Sequence, residues 1–249
     1  WDDITRKMGY WVDLNDPYIT FKNEYIETLW WLLSELYKKG LLYESVSIQP
    51  YSPAAGTGLS SHELNMPGTY KDVKDTSAVA MFRAVRNEKS AFLYRAISNN
   101  EQGIKKDEVF FLAWTTTPWT LPSNLGLTVG ANIDYALVET VNPYLHNTIH
   151  IVLAKALIGK YFKEENENTD FSEYKNDGKN LPYKIMATFK GSEIEGCEYE
   201  QLLPYEANSS EAIEEITPGA KPFRVLVDTF VTTEDGTGIV HTAPAFGAD

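Results

Sequence analysis

The chain has 249 residues, of which 43% are hydrophobic and 13% aromatic, so it can bury a substantial core. Its 35 aspartate and glutamate residues outnumber 22 lysine and arginine residues, and the net charge of −13 argues against broad binding to nucleic acid phosphates. The sequence has neither an apolar run of about 18 residues nor the basic start of a signal peptide, so we expect a soluble, cytoplasmic protein without membrane contact.

The first clear element is an amphipathic helix in the stretch DPYITFKNEYIETLWWLLSELYKKG. Thr20 is its expected N-cap and Gly40 its expected stop. We assign residues 1–45 to a helical segment whose apolar stripe packs against a larger body, and we expect the chain to be a piece of a longer protein. The apolar positions recur at three- and four-residue steps at Ile26, Leu29, Trp30, Leu33 and Leu36.

From Ser45 onward the pattern changes to short runs rich in Val, Ile, Phe, Tyr and Thr, separated by Pro, Gly, Asn and Asp. These runs predict a mostly β body of α+β class over residues 46–249. A helix is expected at AKALIGKYFKE, with a polar surface loop after it. The predicted strands are SVSIQPY, SAVAMFRAV, VFFLAWTTT, YALVETV, TIHIVLA, YKIMATFKG, FRVLVDTFV and GTGIVHTA.

Metal binding and disulfides are not expected. Cys197 is the single cysteine, so it can form no internal disulfide, and a reducing compartment is consistent with it. His146 and His150 are four residues apart, but their segment contains Asn and resembles a loop, so we interpret both as surface residues. The most basic stretch, with members from Arg83 and Arg95 to Lys105 and Lys106, is interpreted as a solvated hairpin face.

A row of three threonines in AWTTTPWTLPSN, residues 113–124, is the first candidate site. A strand explains one threonine, because β-branched residues suit strands. Three in a row before Pro118 would bury at least one hydroxyl by alternation, and a buried hydroxyl needs a partner. Since each hydroxyl donates and accepts, the row can hold a polyhydroxylated ligand such as ribose, or fix a water for attack.

The second motif is GTGIVHTAPAFGAD, residues 236–249. Gly236 and Gly238 allow a ligand to approach the backbone closely. His241 follows at the end of the predicted strand, beside Thr242. A single histidine at this position serves equally well as a hydrogen-bonded structural residue or as a functional one.

Taken together, these motifs resemble the isoleucyl-tRNA synthetases over essentially the whole chain. The valyl and leucyl enzymes differ at these sites, with Arg in place of Thr117 and Lys or Met in place of His241. The ATP-handling signatures of the family are absent, so the resemblance points to connective peptide 1, a β-barrel-rich insertion that hydrolyses wrongly charged tRNA. Other matching stretches are GYWVDLNDPYIT, YIETLWWLLSELYKKGLLYES, PYSPAAGTGLSSHE and FKGSEIEGCEY.

The resemblance implies roles for particular residues. The threonines would bind the terminal ribose and ester and place the water, the two tryptophans would stack on adenine, and His241 would limit the amino-acid pocket rather than act as a base. The family's anion for the substrate ammonium lies nine residues after this histidine, one beyond Asp249, although Asp249 itself is a second possibility. The implied catalytic residues are Thr115, Thr116 and Thr117; the implied substrate-binding residues are Trp114, Trp119, Thr120, Asn124, His241, Thr242 and Asp249.

The implied reaction is hydrolysis of valyl-tRNA(Ile) by a positioned water. One missing methylene changes binding by only about 1 to 3 kcal/mol, a limit for which isoleucyl enzymes are the standard illustration, so a second site must remove valine. We expect no cofactor or metal here, although the parent enzymes use ATP and Mg; the partners are the tRNA 3′ end and the rest of the synthetase. Two alternatives stay open: a non-catalytic docking insert for the tRNA 3′ end, and a valyl-type editing domain.

Overall fold

The computed structural model describes the chain except for residues 46, 99–107, 176–179, 206–212, 216, 245 and 247–249. The chain divides into two compact units, Trp1–Gln49 and Pro50–Asp249. Asp249, a predicted substrate-binding residue, lies outside the described residues, as do Lys105 and Lys106 of the basic stretch.

The first unit contains helices α1 (Asp2–Lys7) and α2 (Asn23–Lys38). The predicted N-cap at Thr20 is wrong: Thr20 lies in a turn, and Lys22 is the extended N-cap residue without a side-chain cap. The predicted stop at Gly40 is confirmed, since its φ of 68° allows its N–H to bond the Tyr37 carbonyl at 2.9 Å.

The apolar stripe of α2 is exposed within this unit. None of its residues is buried, and the adjacent Trp30 and Trp31 are 67% and 61% exposed. An exposed apolar surface of this kind in a monomer is typical of an interaction site.

The second unit carries the β structure. A two-stranded hairpin, β1 (Tyr51–Ser52) and β2 (Thr57–Gly58), precedes an eight-stranded mixed sheet. The remaining helices and strands are α3 (Ser61–Leu64), β3 (Ala78–Arg83), α4 (Ala91–Ser98), β4 (Val109–Thr115), β5 (Gly126–Val129), β6 (Asp134–Val141), β7 (Thr148–Ala154), α5 (Ile158–Tyr161), β8 (Tyr183–Lys190), β9 (Arg224–Val227) and β10 (Ile239–Thr242).

Strand β4 is the branch point of the sheet. One edge pairs along its length with β3, antiparallel. The other edge is shared between two parallel partners: β7 pairs with the first half, and β10 pairs at Trp114 near the end. The sheet order is β8-β6-β7-β4-β10-β5-β9, so β7, β6 and β8 form an extension on one side of the branch.

Residues 197–200, the closing segment, complete a barrel on the other side of the branch. Glu200 N–H bonds the Arg83 carbonyl at 2.8 Å, which joins the segment to the end of β3. Val225 N–H bonds the Cys197 carbonyl at 2.8 Å, which joins it to β9. The ring β3-β4-β10-β5-β9 is therefore closed by this segment, and the predicted α+β, barrel-rich fold is confirmed.

The barrel interior is apolar. Inward-facing residues from every strand of the ring form one buried cluster, which includes Phe82, Ala113, Leu127, Val225 and Ile239. The closing segment contributes Cys197 and Tyr199, both buried, and desolvation raises the pKa of the Cys197 thiol to about 11. The segment is thus part of the core as well as of the hydrogen-bonded wall.

Two stretches near the start of the second unit differ from the sequence-based expectations. Of the described residues of SVSIQPY, only Tyr51 lies in a strand, where it begins β1. The basic stretch is not a hairpin face in its described part, because Ala91–Ser98 forms helix α4, whose apolar side packs on the barrel core through residues such as Leu93. Arg95 lies on the exposed side of that helix.

The interpretation of His150 as a surface residue is wrong, whereas His146 is exposed as expected. His150 lies on β7, which has β4 and β6 on its two sides, so its ring is buried. Nε2 of His150 lies 3.7 Å from the Glu139 carboxylate on β6, and this contact lowers the pKa of Glu139. The expected helix AKALIGKYFKE is reduced to a 3-10 turn, Lys155–Leu157, and the single turn α5.

Gly238 should be required at the entrance to β10. Its φ is 73°, and an added Cβ would lie 2.4 Å from the Ala154 Cβ. Gly238→Ala should lower the free energy of unfolding by about 2 to 5 kcal/mol, since overpacking adds to left-handed strain. Gly219→Ala is the matched control, with φ 83° and no atom within 4 Å, and should cost about 1 to 2 kcal/mol in denaturant unfolding. Equal losses would contradict the packing argument.

Candidate functional site

The two sequence motifs meet at one mouth of the barrel. Strands β4 and β10 are parallel neighbours, so their carboxyl ends lie at the same edge of the sheet. Thr115 ends β4, and His241 lies in β10. The 3-10 helix Pro118–Ser123 follows the threonines and forms one side of the mouth. Mouths of β-barrels are frequent ligand sites.

The threonine row forms a turn held by its own hydroxyls. The backbone N–H of Thr117 donates to the Thr115 hydroxyl at 3.0 Å, and the two hydroxyl oxygens lie 3.2 Å apart. Thr115 is buried, whereas Thr116 and Thr117 are exposed. The expectation of at least one buried, partnered hydroxyl is confirmed. The turn leaves two hydroxyl-bearing residues accessible above one that holds the backbone.

His241 is held between two side chains of the segment that follows the threonine row. Its Nε2 lies 2.8 Å from the Thr120 hydroxyl, and its Nδ1 lies 2.9 Å from the amide nitrogen of Asn124. The same Asn124 nitrogen donates to the Gly126 carbonyl at 2.8 Å. The Asn124 oxygen accepts from the Tyr199 hydroxyl at 2.6 Å. Five residues from distant parts of the chain thus form one polar network.

The directions of these hydrogen bonds assign the tautomer of His241. The hydroxyl of Thr120 donates its single proton to the Thr117 carbonyl at 2.8 Å, so its oxygen accepts from Nε2–H. The amide of Asn124 donates to Nδ1. Both constraints give a neutral ring protonated at Nε2.

The network also opposes protonation of His241. An imidazolium would point an Nδ1–H at the Asn124 amide donor, and burial lowers the pKa of His241. Because both ring nitrogens already have partners, His241 has no free lone pair with which to act as a base. Its ring instead forms a fixed, neutral part of the mouth.

Trp114 and Thr242 face the outside of the barrel. Trp114 pairs with Val240, and the Thr242 hydroxyl lies 2.9 Å from that of Thr128. Alternation along a strand places both opposite the inward-facing Thr115 and His241. The structure therefore separates the sequence-predicted residues into an inner group and an outer group. The exposed Trp119 lies on the 3-10 helix at the mouth, with 63% of its surface accessible.

A cavity of about 220 Å³ lies beside Trp114 on this outer side. Lys160 holds its rim through an ion pair with Asp235 at 2.7 Å, and the Tyr161 hydroxyl donates to the Gly236 carbonyl. Gly236 and Gly238 of its lining were predicted from the sequence to allow close approach of a ligand, whereas the cavity itself was not predicted. It is lined by Trp114, Phe230, Thr232, Glu234, Asp235, Gly236, Thr237, Gly238, Ile239 and Val240. Because its charged lining residues are carboxylates, it suits a neutral or cationic group better than a phosphate.

Tyr199 and Thr128 are the members of these networks that sequence reasoning missed. Tyr199 ends the family-matching stretch FKGSEIEGCEY, but its contact and that of Thr128 join residues far apart in the chain, so no local pattern gives their partners. Within the part of the chain that the structure describes, there is no group of three or more His, Cys, Asp or Glu placed to hold a metal ion. In the same residues no helix combines the length and apolarity that crossing a membrane requires.

Comparison with known proteins gives the family. Residues 1–234 match the model of the class I tRNA synthetases for isoleucine, leucine, methionine and valine, and the chain belongs to this family. Across its full length it is 55% identical to isoleucine–tRNA ligase of Cytophaga hutchinsonii and 54% identical to that of Porphyromonas gingivalis. The predicted resemblance to isoleucyl enzymes is confirmed. The chain spans 20% of the length of each of these ligases.

Two solved structures are similar in part. GlLeuRS-CP1 aligns with a TM-score of 0.46 and 15% identity, over 68% of this chain and 56% of that one. The editing domain of the P. knowlesi cytosolic leucyl-tRNA synthetase aligns with a TM-score of 0.45 and 13% identity, over 67% and 58%.

Asn124→Asp should raise the pKa of His241. The carboxylate would replace an amide donor beside Nδ1 by a negative acceptor and would stabilise the imidazolium. A pH titration of the His241 ring signals by NMR measures this. Asn142→Asp is the control, because the Asn142 side-chain oxygen already accepts from the backbone N–H of Tyr144 and Leu145. A His241 titration unchanged in Asn124→Asp would contradict the assigned network.

His241 should also make stability depend on pH. Its folded pKa lies below the ordinary value of 6.5, so the unfolded chain takes up the proton first as pH falls. The contribution of neutral, buried His241 to the free energy of unfolding is fully present above pH 6.5 and is lost as pH falls below it toward the folded pKa. In denaturant unfolding between about pH 7.5 and 5, His241→Gln should therefore lose less stability than the native chain. Parallel pH curves for the two proteins would contradict this.

Proposed function

We propose that this chain is the editing domain of an isoleucyl-tRNA synthetase and hydrolyses the ester of valine on tRNA(Ile). The observation that carries the proposal is the inner network at the barrel mouth, where accessible threonine hydroxyls lie beside a neutral, immobilised His241. The synthetase family and the isoleucine–tRNA ligase relatives support the choice of tRNA.

The chemistry of an aminoacyl ester suits a site without a strong base. Such an ester is already reactive, so the site needs orientation and a placed water more than proton abstraction. In the proposal, the exposed residues Thr116 and Thr117 bind the terminal ribose and the water through their hydroxyls, and buried Thr115 keeps the turn in place. The reaction would then require no metal or cofactor.

His241 would discriminate by shape and charge. A ring fixed at both nitrogens has a definite size limit, which admits valine more readily than isoleucine. Its neutrality matters because the substrate carries an α-ammonium, which an imidazolium would repel. The anion for that ammonium would be Asp249 or the residue after it.

The nucleoside and the rest of the tRNA would use other parts of the molecule. Exposed Trp119, next to Thr120, offers a free ring for stacking on the terminal adenine. Trp114 lies close to Gly236, where an added Cβ would come within 3.0 Å of its ring, and it would line the outer cavity instead. With a net charge of −13, the chain would leave most tRNA binding to the remaining synthetase, which would also cover the apolar stripe of α2.

The test measures deacylation of valyl-tRNA(Ile) and isoleucyl-tRNA(Ile) by this chain and by a form extended with native residues beyond Asp249. We expect cleavage of the valyl ester and sparing of the isoleucyl ester. Thr117→Val should slow the valyl reaction by about 10- to 100-fold, since it removes one hydroxyl from the reacting region. Thr148→Val on β7 is the matched control and should react at the native rate.

Two outcomes would overturn the proposal. Failure of both forms to cleave either ester, although the extended form binds a valyl-adenosine analogue, would leave a docking role without hydrolysis. Equal rates on both esters would refute the proposed selection against valine.

A further inference from the structure

We infer that Tyr199 is a positioning residue for His241, acting through Asn124, and that the closing segment of the barrel thereby sets the amino-acid selectivity of the site. The part of this inference that concerns selectivity rests on the proposed function, whereas the positioning of His241 does not. Tyr199 lies outside both sequence motifs, and the residue is 2% exposed. Its hydroxyl donates to the Asn124 oxygen at 2.6 Å, the shortest link of the inner network.

The geometry gives the hydroxyl a specific task. The nitrogen and the oxygen of the Asn124 side chain must not exchange places. The nitrogen donates to the Gly126 carbonyl and to Nδ1 of His241, and the oxygen accepts from Tyr199. Without the phenol, that oxygen is buried with no donor, which favours rotation or withdrawal of the amide. His241 would then lose the partner that fixes both its tautomer and its ring plane.

The position of the hydroxyl is itself fixed by barrel closure. The backbone N–H of Tyr199 donates to the Phe223 carbonyl at 3.0 Å, at the entrance to β9. Its ring packs edge-on against Phe82 on β3, with centroids 5.3 Å apart, and against Phe223 at 6.1 Å. Because the ring of Tyr199 is held between β3 and the entrance to β9, the closed wall of the barrel fixes the position of the hydroxyl at the mouth.

Burial keeps Tyr199 in the donating state. Desolvation raises the pKa of its phenol far above the ordinary value, and the bond to Asn124 only partly offsets this. The proton therefore stays on the phenol throughout the pH range in which the site operates. The hydroxyl is a permanent donor, as a positioning role requires.

The first measurement needs no substrate. We expect the ¹⁵N spectrum of His241 to show the Nε2-protonated tautomer in the native chain, and a mixture of tautomers with easier protonation in Tyr199→Phe. Tyr94→Phe is the matched control: it removes another buried phenol of the same core, one that bonds the Ala84 carbonyl and not the network. Its His241 signals should match the native ones. Native His241 signals in folded Tyr199→Phe would overturn the inference.

The second measurement separates this inference from the proposed function. In deacylation, Tyr199→Phe should lower the ratio of valyl to isoleucyl cleavage by about fivefold or more, because a loosened His241 admits the larger side chain. If neither the chain nor its extended form cleaves either ester but the His241 signals change, the positioning role stands and the proposed function fails. If the native chain is active and Tyr199→Phe keeps the native ratio, the selectivity role is refuted.

A second variant covers failure of Tyr199→Phe to fold. Incorporation of 3-fluorotyrosine at position 199 keeps the ring and the hydroxyl but makes the phenol a stronger donor. We expect shifts in the Asn124 side-chain amide and in Nδ1 of His241. Unchanged signals for both groups would overturn the inference.

Discussion

The side-chain amide of Asn124 is the interaction on which the site depends. It is buried, and its oxygen and nitrogen together bond three different parts of the barrel: the closing segment, the start of β5 and strand β10. Each of these bonds is modest by itself, but a buried amide left without partners costs about 1 to 3 kcal/mol for each unsatisfied group. The barrel closed in its observed register satisfies this amide, so the same hydrogen bonds stabilise the fold and fix the site geometry.

That shared requirement explains the chemical character of the mouth. Every proton in the path from Tyr199 through Asn124 and His241 to Thr120 has a defined acceptor, which leaves no strong base and no mobile charge. Under the proposed function, such a site would reorganise little when substrate enters, and its contribution to catalysis would come from orientation. The excess of negative charge on the chain is compatible with the proposed role, because a single-stranded 3′ end would bring few phosphates to the mouth.

Local patterns predicted the long strands, but they failed for elements and site residues whose positions depend on tertiary contacts. The runs that form β6, β7 and β8 are long and rich in β-branched residues, so their positions followed from the sequence. Strand β5 was missed because it has four residues and begins with Gly126. The assembly of Thr120, Asn124 and His241 at one place came from family resemblance, whereas alternation alone already implies that Trp114 and Thr115 face opposite sides. Tyr199 lies in a stretch that matches the family, but its role could not be predicted, because its partner Asn124 is distant in the chain.

The buried thiol of Cys197 gives the closing segment a property of its own. At a pKa of about 11 the group is almost entirely protonated near neutral pH, and its side chain has no access to solvent. Alkylating reagents attack the thiolate, so they can react only after the segment separates from β9. The rate of labelling at this single cysteine then measures how often the barrel opens. A ligand that binds at the mouth and holds Asn124 in place would lower this labelling rate without contacting the sulfur.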